Sequence, residues 1–499
     1  MITRLKNGPS LVFWILGGYF LTQLCVRLLI PHSLELDESA QVFYAQWPAF
    51  GYDTQPPFYN WVQTALFQVL GTHLFALAFL KNVILFLTYL FLGLAAMRMV
   101  RSKELAVVAV LGLLTFPQLV FESQRDLTHS VAAVFASALF IYALIRTLDT
   151  PSWYSYALLG FATGIGLISK YNFALLPAAA FLAVVIDPEF RKRLFDLRIL
   201  VAAIVGLLVI LPHALWLLDH LDLATQGTIN KLEGQDVTSK WAQVALGTIS
   251  LAGALIGFAG LTFLTFLLLY PRSLSQTIRR NNRWSLLLGR IMLCALALLL
   301  VLILVSDSTN IKDRWLSPIF LILPLYLATK LDQLDIEIEP YLSRMWSLAK
   351  VILICMPLVM LVRIPAHGWF GDYTKLNTDY GAALSEILQR VEEQPMAILA
   401  SDVHLAGNLR ILRPDLPVFI AGYSQLMGDT RISTSTPLLV VWRVGKTEDM
   451  PGSLGKWIER IGVPRPYTSG KVSVPYNFGR PGDASTFGYA LVRIDPAAG

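Results

Sequence analysis

Cysteine is nearly absent from this chain. Three occur in 499 residues, Cys25, Cys294 and Cys355, and each lies inside an apolar run. The polar C-terminal stretch has none, so neither a disulfide framework nor a Cys-based zinc site can be built there, and its stability must come from packing. Charge is scarce as well: 15% of the residues are charged against 55% hydrophobic, and mean hydropathy is +0.58. Few water-soluble proteins have such proportions. Internal repeats, a P-loop and a dinucleotide-type GxGxxG are all lacking. Gly160, Gly164 and Gly166 fall in an apolar run and read as helix-packing positions, so nucleotide-driven transport finds no motif here.

What the chain has is long apolar segments. Leu11 to Ile30 holds a single charge, Arg27, and is long enough to cross roughly 30 Å of hydrocarbon. It runs through Cys25-Val26-Arg27 into Leu-Leu-Ile-Pro without a small-residue cleavage site, so it reads as a retained span and not a signal peptide. Further segments lie at 75–97, 104–121, 127–145, 154–169, 172–186, 199–218, 241–270, 286–306, 315–329 and 348–363, about eleven spans together. The stretch 172–186 is short for a bilayer and needs local thinning or little tilt.

Basic residues orient these spans. With the N-terminus inside, Arg4, Lys6, Arg98, Arg101, Lys103, Arg146, Arg191, Lys192, Arg193, Arg198, Arg272, Arg279, Arg280, Arg283, Arg290, Lys330, Arg344 and Lys350 all fall at inner ends. The loop 31–58 and the tail 364–499 then face outward together. The predicted organisation is a multi-spanning α-helical membrane domain, 1–363, followed by a small extracytoplasmic α/β domain, 364–499. In that tail thirteen basic and thirteen acidic residues balance. Tyr380–Glu393 has helical spacing, and Met396–Ala400, Val418–Ala421, Pro437–Val444 and Gly488–Ile494 read as strands. The net charge of +6 and the pI near 9.1 arise as inner-face charge in the membrane half, so the chain calls for a membrane and not for nucleic acid.

The outer loop PHSLELDESAQVFYAQWPAFGYDTQPPF carries the densest chemistry. Asp37 and Glu38 stand just after a span, ahead of the aromatic run Phe43, Tyr44 and Trp47. Such a run suits an interfacial helix or a wall for stacking sugars. The Pro56-Pro57 pair imposes extended backbone at Gln55 and fixes the loop's return to the membrane. Tyr52 and Asp53 precede it, and Phe58, Tyr59 and Trp61 follow. On the same side four cations sit in or beside apolar segments: Lys81, Arg125, Lys170 and Arg314. A buried cation needs a partner. Lys170 and Arg314 either snorkel to ordinary phospholipid phosphate or bind an anionic lipid headgroup. His129 reads first as a helix-to-helix hydrogen-bonding residue. His213 and His220, seven apart, are poorly spaced for a shared metal. Ser401-Asp402-Val403-His404 with Asn408 and Arg410 either forms an acceptor pocket or caps a helix and holds the tail in place.

The stretch LDESAQVFYAQWPAFGYDTQPPFYNW resembles the first outer loop of the bacterial relatives of protein O-mannosyltransferases, a GT-C glycosyltransferase group that includes the lipid A aminoarabinose and galacturonic-acid transferases. The likeness continues through Thr128-His129-Ser130, Gly166-Leu167-Ile168-Ser169-Lys170-Tyr171-Asn172 and Arg314-Trp315-Leu316-Ser317-Pro318. It implies a GT-C fold in the bacterial cytoplasmic membrane that moves a sugar from a polyprenyl-phosphate carrier to a lipid, glycan or protein acceptor on the outer face. The family's catalytic acid of the first loop maps to Asp37. Aminoarabinose transferases carry Lys before the loop proline and Arg shortly after Asp-Glu, where this chain has Gln55 and Ala40. Asp53 ahead of the paired prolines is closer to the galacturonic-acid, mannose or hexose transferases of the group.

The residues meet the needs of that chemistry. Lys170 and Arg314, with Lys81 and Arg125, are candidates to neutralise the leaving phosphate, and Asp37 to take the acceptor's proton during inverting attack. Tyr44, Tyr52, Asp53, Gln55, His129, Tyr171 and Trp315 are candidate substrate contacts. No cofactor is called for. Where the acceptor is itself a phosphate, Asp37 with Glu38 instead orients it or holds a divalent cation. The competing class is a lipid or small-molecule transporter, which paired halves and broken midplane helices would favour.

Overall fold

The computed structural model of the chain describes residues 10–222, 239–270, 276, 280–306, 308–334, 337–391, 393–421, 437–445, 450–460 and 468–493. Arg4, Lys6, Arg272, Arg279 and Ile494 lie outside them. In chain order the helices are α1 (Ser10–Leu29), α2 (Leu36–Tyr44), α3 (Phe58–Leu70), α4 (Leu74–Met99), α5 (Lys103–Gly112), α6 (Thr128–Asp149), α7 (Trp153–Leu167), α8 (Leu175–Ile186), α9 (Ile199–Leu218), α10 (Lys240–Leu269), α11 (Arg283–Ser306), α12 (Leu323–Leu331), α13 (Glu339–Phe370), α14 (Tyr380–Arg390), α15 (Val403–Leu412) and α16 (Gly452–Arg460). The strands are β1 (Ala397–Ala400), β2 (Val418–Ile420), β3 (Pro437–Arg443), β4 (Thr468–Pro475) and β5 (Ala484–Arg493). They belong to two compact units, one drawn from 1–23, 49–59 and 81–356, the other from 24–48, 60–80 and 357–499.

Among the described residues, seven helices are long and apolar enough to cross a membrane: α1, α4, α6, α9, α10, α11 and α13. The other apolar segments behave differently from plain spans. That at 104–121 becomes a helix pair, Lys103–Thr115 and Gln118–Arg125, bent by 70°. The break falls at Pro117, whose ring removes a backbone donor. The segment 154–169 is the 15-residue α7. Those at 172–186 and 315–329 are the short stretches Tyr171–Ile186 and Ser317–Leu331. Such pieces are tolerated where protein, and not lipid, surrounds the backbone ends.

In the first unit, small residues let helices close up. A Cβ on Gly160 of α7 would lie 2.1 Å from the Ala202 carbonyl oxygen of α9, and one on Gly164 would lie 2.7 Å from Val209 Cβ. Ion pairs gather the ends assigned to the inner face: Arg98 and Arg283 converge on Asp149 at 3.5 and 2.9 Å, and Arg290 meets Asp187 at 2.6 Å.

The second unit is built on a five-stranded sheet of order β2-β1-β3-β5-β4. β1 pairs parallel with β2 and β3, while β5 is antiparallel to β3 and β4. Every residue of β1 is buried, as is nearly all of β3, as expected of central strands covered on both faces. β5 starts earlier than its sequence signal, at Ala484. β4 had no signal, because its buried residues are just Val472 and Val474 amid exposed Ser469, Lys471 and Ser473. α15 follows β1 and rests on α2 so closely that a Cβ on Gly407 would lie 2.1 Å from the Ser39 carbonyl oxygen.

Candidate functional site

Within the first unit the sequence GIGLISKYNF turns a helix end into one wall of a cavity. α7 stops at Leu167, and Ser169 folds its hydroxyl back to the Ile165 carbonyl at 2.6 Å. Gly166 has no room for a side chain, since a Cβ would meet the Phe173 ring at 2.2 Å. Lys170 is extended and leads into a 3₁₀ turn, Tyr171–Ala174. Its ammonium donates to Ser130 Oγ at 2.8 Å. A second wall comes from the turn Asp313–Trp315, whose Trp315 carbonyl accepts from Asn172 Nδ2 at 2.7 Å. That turn is braced by Gln118 Nε2, which donates to Asp313 Oδ2 at 2.6 Å. The loop after the paired prolines is tied in by Phe58 N, which donates to the Ile168 carbonyl at 2.9 Å.

The cavity between them measures about 330 Å³. Thr54, Gln55, Lys170, Tyr171 and Asn172 supply its polar groups; Leu175, Leu299, Leu302, Ile311 and Leu316 supply aliphatic surface beside Trp315. A cation and amide donors in one lining with several leucines suit an amphiphilic anion.

Of the residues picked from sequence, the cavity brings together Gln55, Lys170, Tyr171 and Trp315. Arg314 adjoins it in the chain, half-buried, with its carbonyl taking the Ser317 hydroxyl at 2.8 Å. Other candidates in the unit are not among the lining residues. Lys81 is buried in α4 next to Asn82, which accepts from Gln124 at 3.1 Å. Arg125 is exposed and pairs with Glu122 at 3.2 Å, an ordinary surface pair one helical turn apart. His129 sits in the first turn of α6, its ring 6.5 Å from that of Tyr59. Tyr52 is buried and accepts from Ala49 N at 3.1 Å, and Asp53 is half-buried. Asn172, Ser130 and Thr54 were not picked as contacts, although Asn172 and Ser130 stand inside motifs quoted above. His213, considered only as a metal ligand, bonds the Tyr171 hydroxyl at 3.1 Å.

The second unit holds the acids. Asp37 is half-buried in the first turn of α2. Glu38 beside it is 1% exposed, as the side chain of a buried ion pair. Arg27 Nε and Nη2 donate to its two oxygens at 3.2 and 2.8 Å, and Arg27 also donates to the Pro31 and Ser33 carbonyls. Glu38 further accepts from Glu35 N at 3.1 Å, closing a capping box. Its partners are those of a scaffold. The aromatic run proves to be core and not an open wall: Phe43, Tyr44 and Trp47 are all buried, and Trp47 packs on Phe419 at 5.7 Å.

His404 and Asn408 take the tethering role. Asp402 caps α15 by accepting from Leu405 N at 2.9 Å. His404 Nε2 donates to the Leu34 carbonyl at 2.7 Å, and Asn408 Oδ1 accepts from Leu34 N at 2.8 Å. Burial holds the His404 imidazole down at a pKa of about 4, against the opposing pull of its bond to Leu34. Among the described residues, no cluster of three or more His, Cys, Asp or Glu has the geometry of a metal site.

Residues 54–216 match the family model of dolichyl-phosphate-mannose-protein mannosyltransferases. The chain is 43% identical over 491 residues to the lipopolysaccharide core galacturonosyltransferase RgtB of Rhizobium johnstonii, covering 98% of both chains. To RgtA of the same organism, also a lipopolysaccharide core galacturonosyltransferase, it is 38% identical over 498 residues, covering 99% of both. The fold is similar to that of ArnT from Cupriavidus metallidurans bound to undecaprenyl phosphate, with a TM-score of 0.62 at 12% identity over 98% of this chain and 99% of that one.

Proposed function

We propose a reaction from one premise: the chain belongs to the family of the lipopolysaccharide core galacturonosyltransferases, membrane glycosyltransferases with the GT-C fold, and it transfers galacturonic acid from a polyprenyl-phosphate carrier to a lipopolysaccharide core acceptor. The sugar and acceptor follow the relatives' names, and the carrier follows the undecaprenyl phosphate held by ArnT. One observation of this chain supports the donor most: the amphiphilic cavity of about 330 Å³ where the Lys170 ammonium and a wall of leucines meet.

In this reading the prenyl chain lies along Leu175, Leu299 and Leu302, and its phosphate takes the ammonium of Lys170, with Arg314 as second cation. Charge builds on that phosphate as the glycosidic bond breaks, and fixed cations away from bulk water stabilise it. Asp37 accepts the proton of the acceptor hydroxyl as that oxygen attacks the opposite face of the anomeric carbon, which inverts the centre. Glu38, already engaged by Arg27, keeps α2 in shape and leaves Asp37 as the base. The bent pair and short helices count with the seven long ones toward about eleven membrane-embedded segments, in the bacterial inner membrane, with the sheet of the second unit on the periplasmic side.

The test is transfer by the purified protein of labelled galacturonic acid from undecaprenyl phosphate to lipopolysaccharide core. Label should reach the acceptor and the product should have inverted anomeric configuration. Absence of transfer from any carrier-linked sugar would end this reading.

A further inference from the structure

α9 carries His213 and Trp216 one turn apart on one face, and His220 follows just past its end. They continue a stack that begins at the cavity. Tyr171 and His213 lie 6.1 Å apart at 19°, His213 and Trp216 5.6 Å at 17°, and Trp216 and His220 4.3 Å at 7°. The same column grips the loop that brings Thr54 and Gln55 to the cavity. Gly51 is pressed on Trp216 so tightly that a Cβ would sit 2.2 Å from the indole, and His213 Nδ1 lies 2.9 Å from the Phe50 carbonyl oxygen.

These contacts fix a proton. A carbonyl oxygen only accepts, so Nδ1 of His213 carries the hydrogen and donates to Phe50. Nε2 of the neutral ring is then an acceptor, and the hydroxyl of Tyr171, 3.1 Å away, must donate to it. With its single proton committed, the Tyr171 oxygen can offer the cavity lone pairs and nothing else. A phosphate oxygen, itself an acceptor, gains nothing from such a group. A sugar hydroxyl does.

We propose that His213 is a positioning residue that holds Tyr171 as a hydrogen-bond acceptor, so that Tyr171 recognises a hydroxyl of the carrier-linked sugar and not the carrier phosphate. This rests on the donor-cavity reading above, and on that reading it divides the cavity's work: Lys170 reads the phosphate, and Tyr171 reads the sugar.

The experiment compares two probes, bare undecaprenyl phosphate by direct binding and undecaprenyl-phosphate-linked galacturonic acid by steady-state kinetics. Tyr171→Phe removes the acceptor oxygen. His213→Asn keeps an amide donor for the Phe50 carbonyl and withdraws the acceptor for Tyr171. Each should raise KM for the sugar-linked carrier about 3- to 10-fold, the range of one neutral hydrogen bond, with binding of the bare carrier and the unfolding midpoint unchanged. The double variant should be no worse than either single one, because both break one relay. Additive losses, or equal weakening for both probes, would overturn the positioning role. Lys170→Met supplies the separate control: it should weaken bare carrier binding, and if it does not, the donor-cavity reading itself fails. If Lys170→Met weakens that binding while His213→Asn and Tyr171→Phe leave the sugar-linked KM unmoved, only the positioning role is lost.

Discussion

Removing Glu38 should loosen the helix that presents Asp37, and its size follows from its partners. The Arg27 and Glu38 side chains are 10% and 1% exposed and share two hydrogen bonds, at 3.2 and 2.8 Å. In Glu38→Ala the guanidinium stays buried with only the Pro31 and Ser33 carbonyls, at 3.1 and 2.9 Å, to satisfy it. Breaking a buried pair from one side costs about 3–5 kcal/mol, and the two remaining carbonyls place this case at the lower end. Glu35 N loses its acceptor as well, adding about 1 kcal/mol. A local loss near 4 kcal/mol corresponds to about 1000-fold faster amide exchange across α2. Hydrogen–deuterium exchange of the detergent-solubilised protein reads this directly. The double variant Arg27→Met/Glu38→Leu buries no charge and should recover most of the protection. Unchanged exchange in Glu38→Ala together with abolished transfer would refute the scaffold reasoning and return Glu38 to the chemistry.

Asp37→Asn should lower kcat by about 10²- to 10⁴-fold with the unfolding midpoint unaltered; activity that survives it would move the base elsewhere. Lys170→Met should raise KM for the carrier-linked sugar by about 10-fold or more in the same assay, the loss of a charge-assisted bond to phosphate. Gly407→Ala must push α15 off the Ser39 carbonyl, 2.1 Å from the new Cβ, and should destabilise the second unit by about 1–3 kcal/mol in chemical unfolding. His404 gives a pH signature. Its folded pKa of about 4 lies below the unfolded value near 6.5, so above that pH it is neutral in both states. As pH falls from 6.5 to 4 the unfolded chain takes up a proton that the folded site refuses. Stability therefore drops across that window, by up to about 3 kcal/mol, then levels off, and His404→Gln should flatten the profile.

Apolar length and the Asp-Glu loop were legible in the sequence because membrane burial and titratable chemistry each leave a dense local signal. The seven long helices stand where hydropathy puts them. The bend at Pro117 and the short piece Ser317–Leu331 were read as plain spans and Tyr171–Ile186 as a short one, since hydropathy reports transfer to an apolar medium and is blind to whether that medium is lipid or protein. Lys170, Tyr171, Gln55 and Trp315 were legible as chemistry; that they line one cavity with Asn172 was not, because the segments that supply them are far apart in the chain. Arg27 showed itself only as an isolated charge near the end of a span. Its partner is eleven residues on, across a turn whose geometry no periodicity encodes. Tyr44 was misleading for a related reason: an aromatic run looks the same whether it faces a sugar or, as here, a core.

The loop that bears Asp37 would be the least defined part of a purely helical membrane protein, for a nine-residue helix is too short to hold itself in water. Three separate devices of the second unit hold it. Arg27 grips Glu38 from the end of α1. His404 and Asn408 of α15 take both backbone groups of Leu34, and Asn408 reaches Ser39. Gln46, past the end of α2, accepts from Val418 N at 2.9 Å and donates to the Val418 carbonyl at 3.1 Å, extending β2 by a side chain. Each is a buried or half-buried polar contact that costs desolvation and returns definition of position more than stability. In the role proposed above, Asp37 must meet one hydroxyl within hydrogen-bonding distance, and that role needs such definition. The α/β part of the second unit is therefore more than a passive appendage: through His404, Asn408 and Val418 it fixes the segment around α2 and supplies rigidity that so short a helix lacks alone.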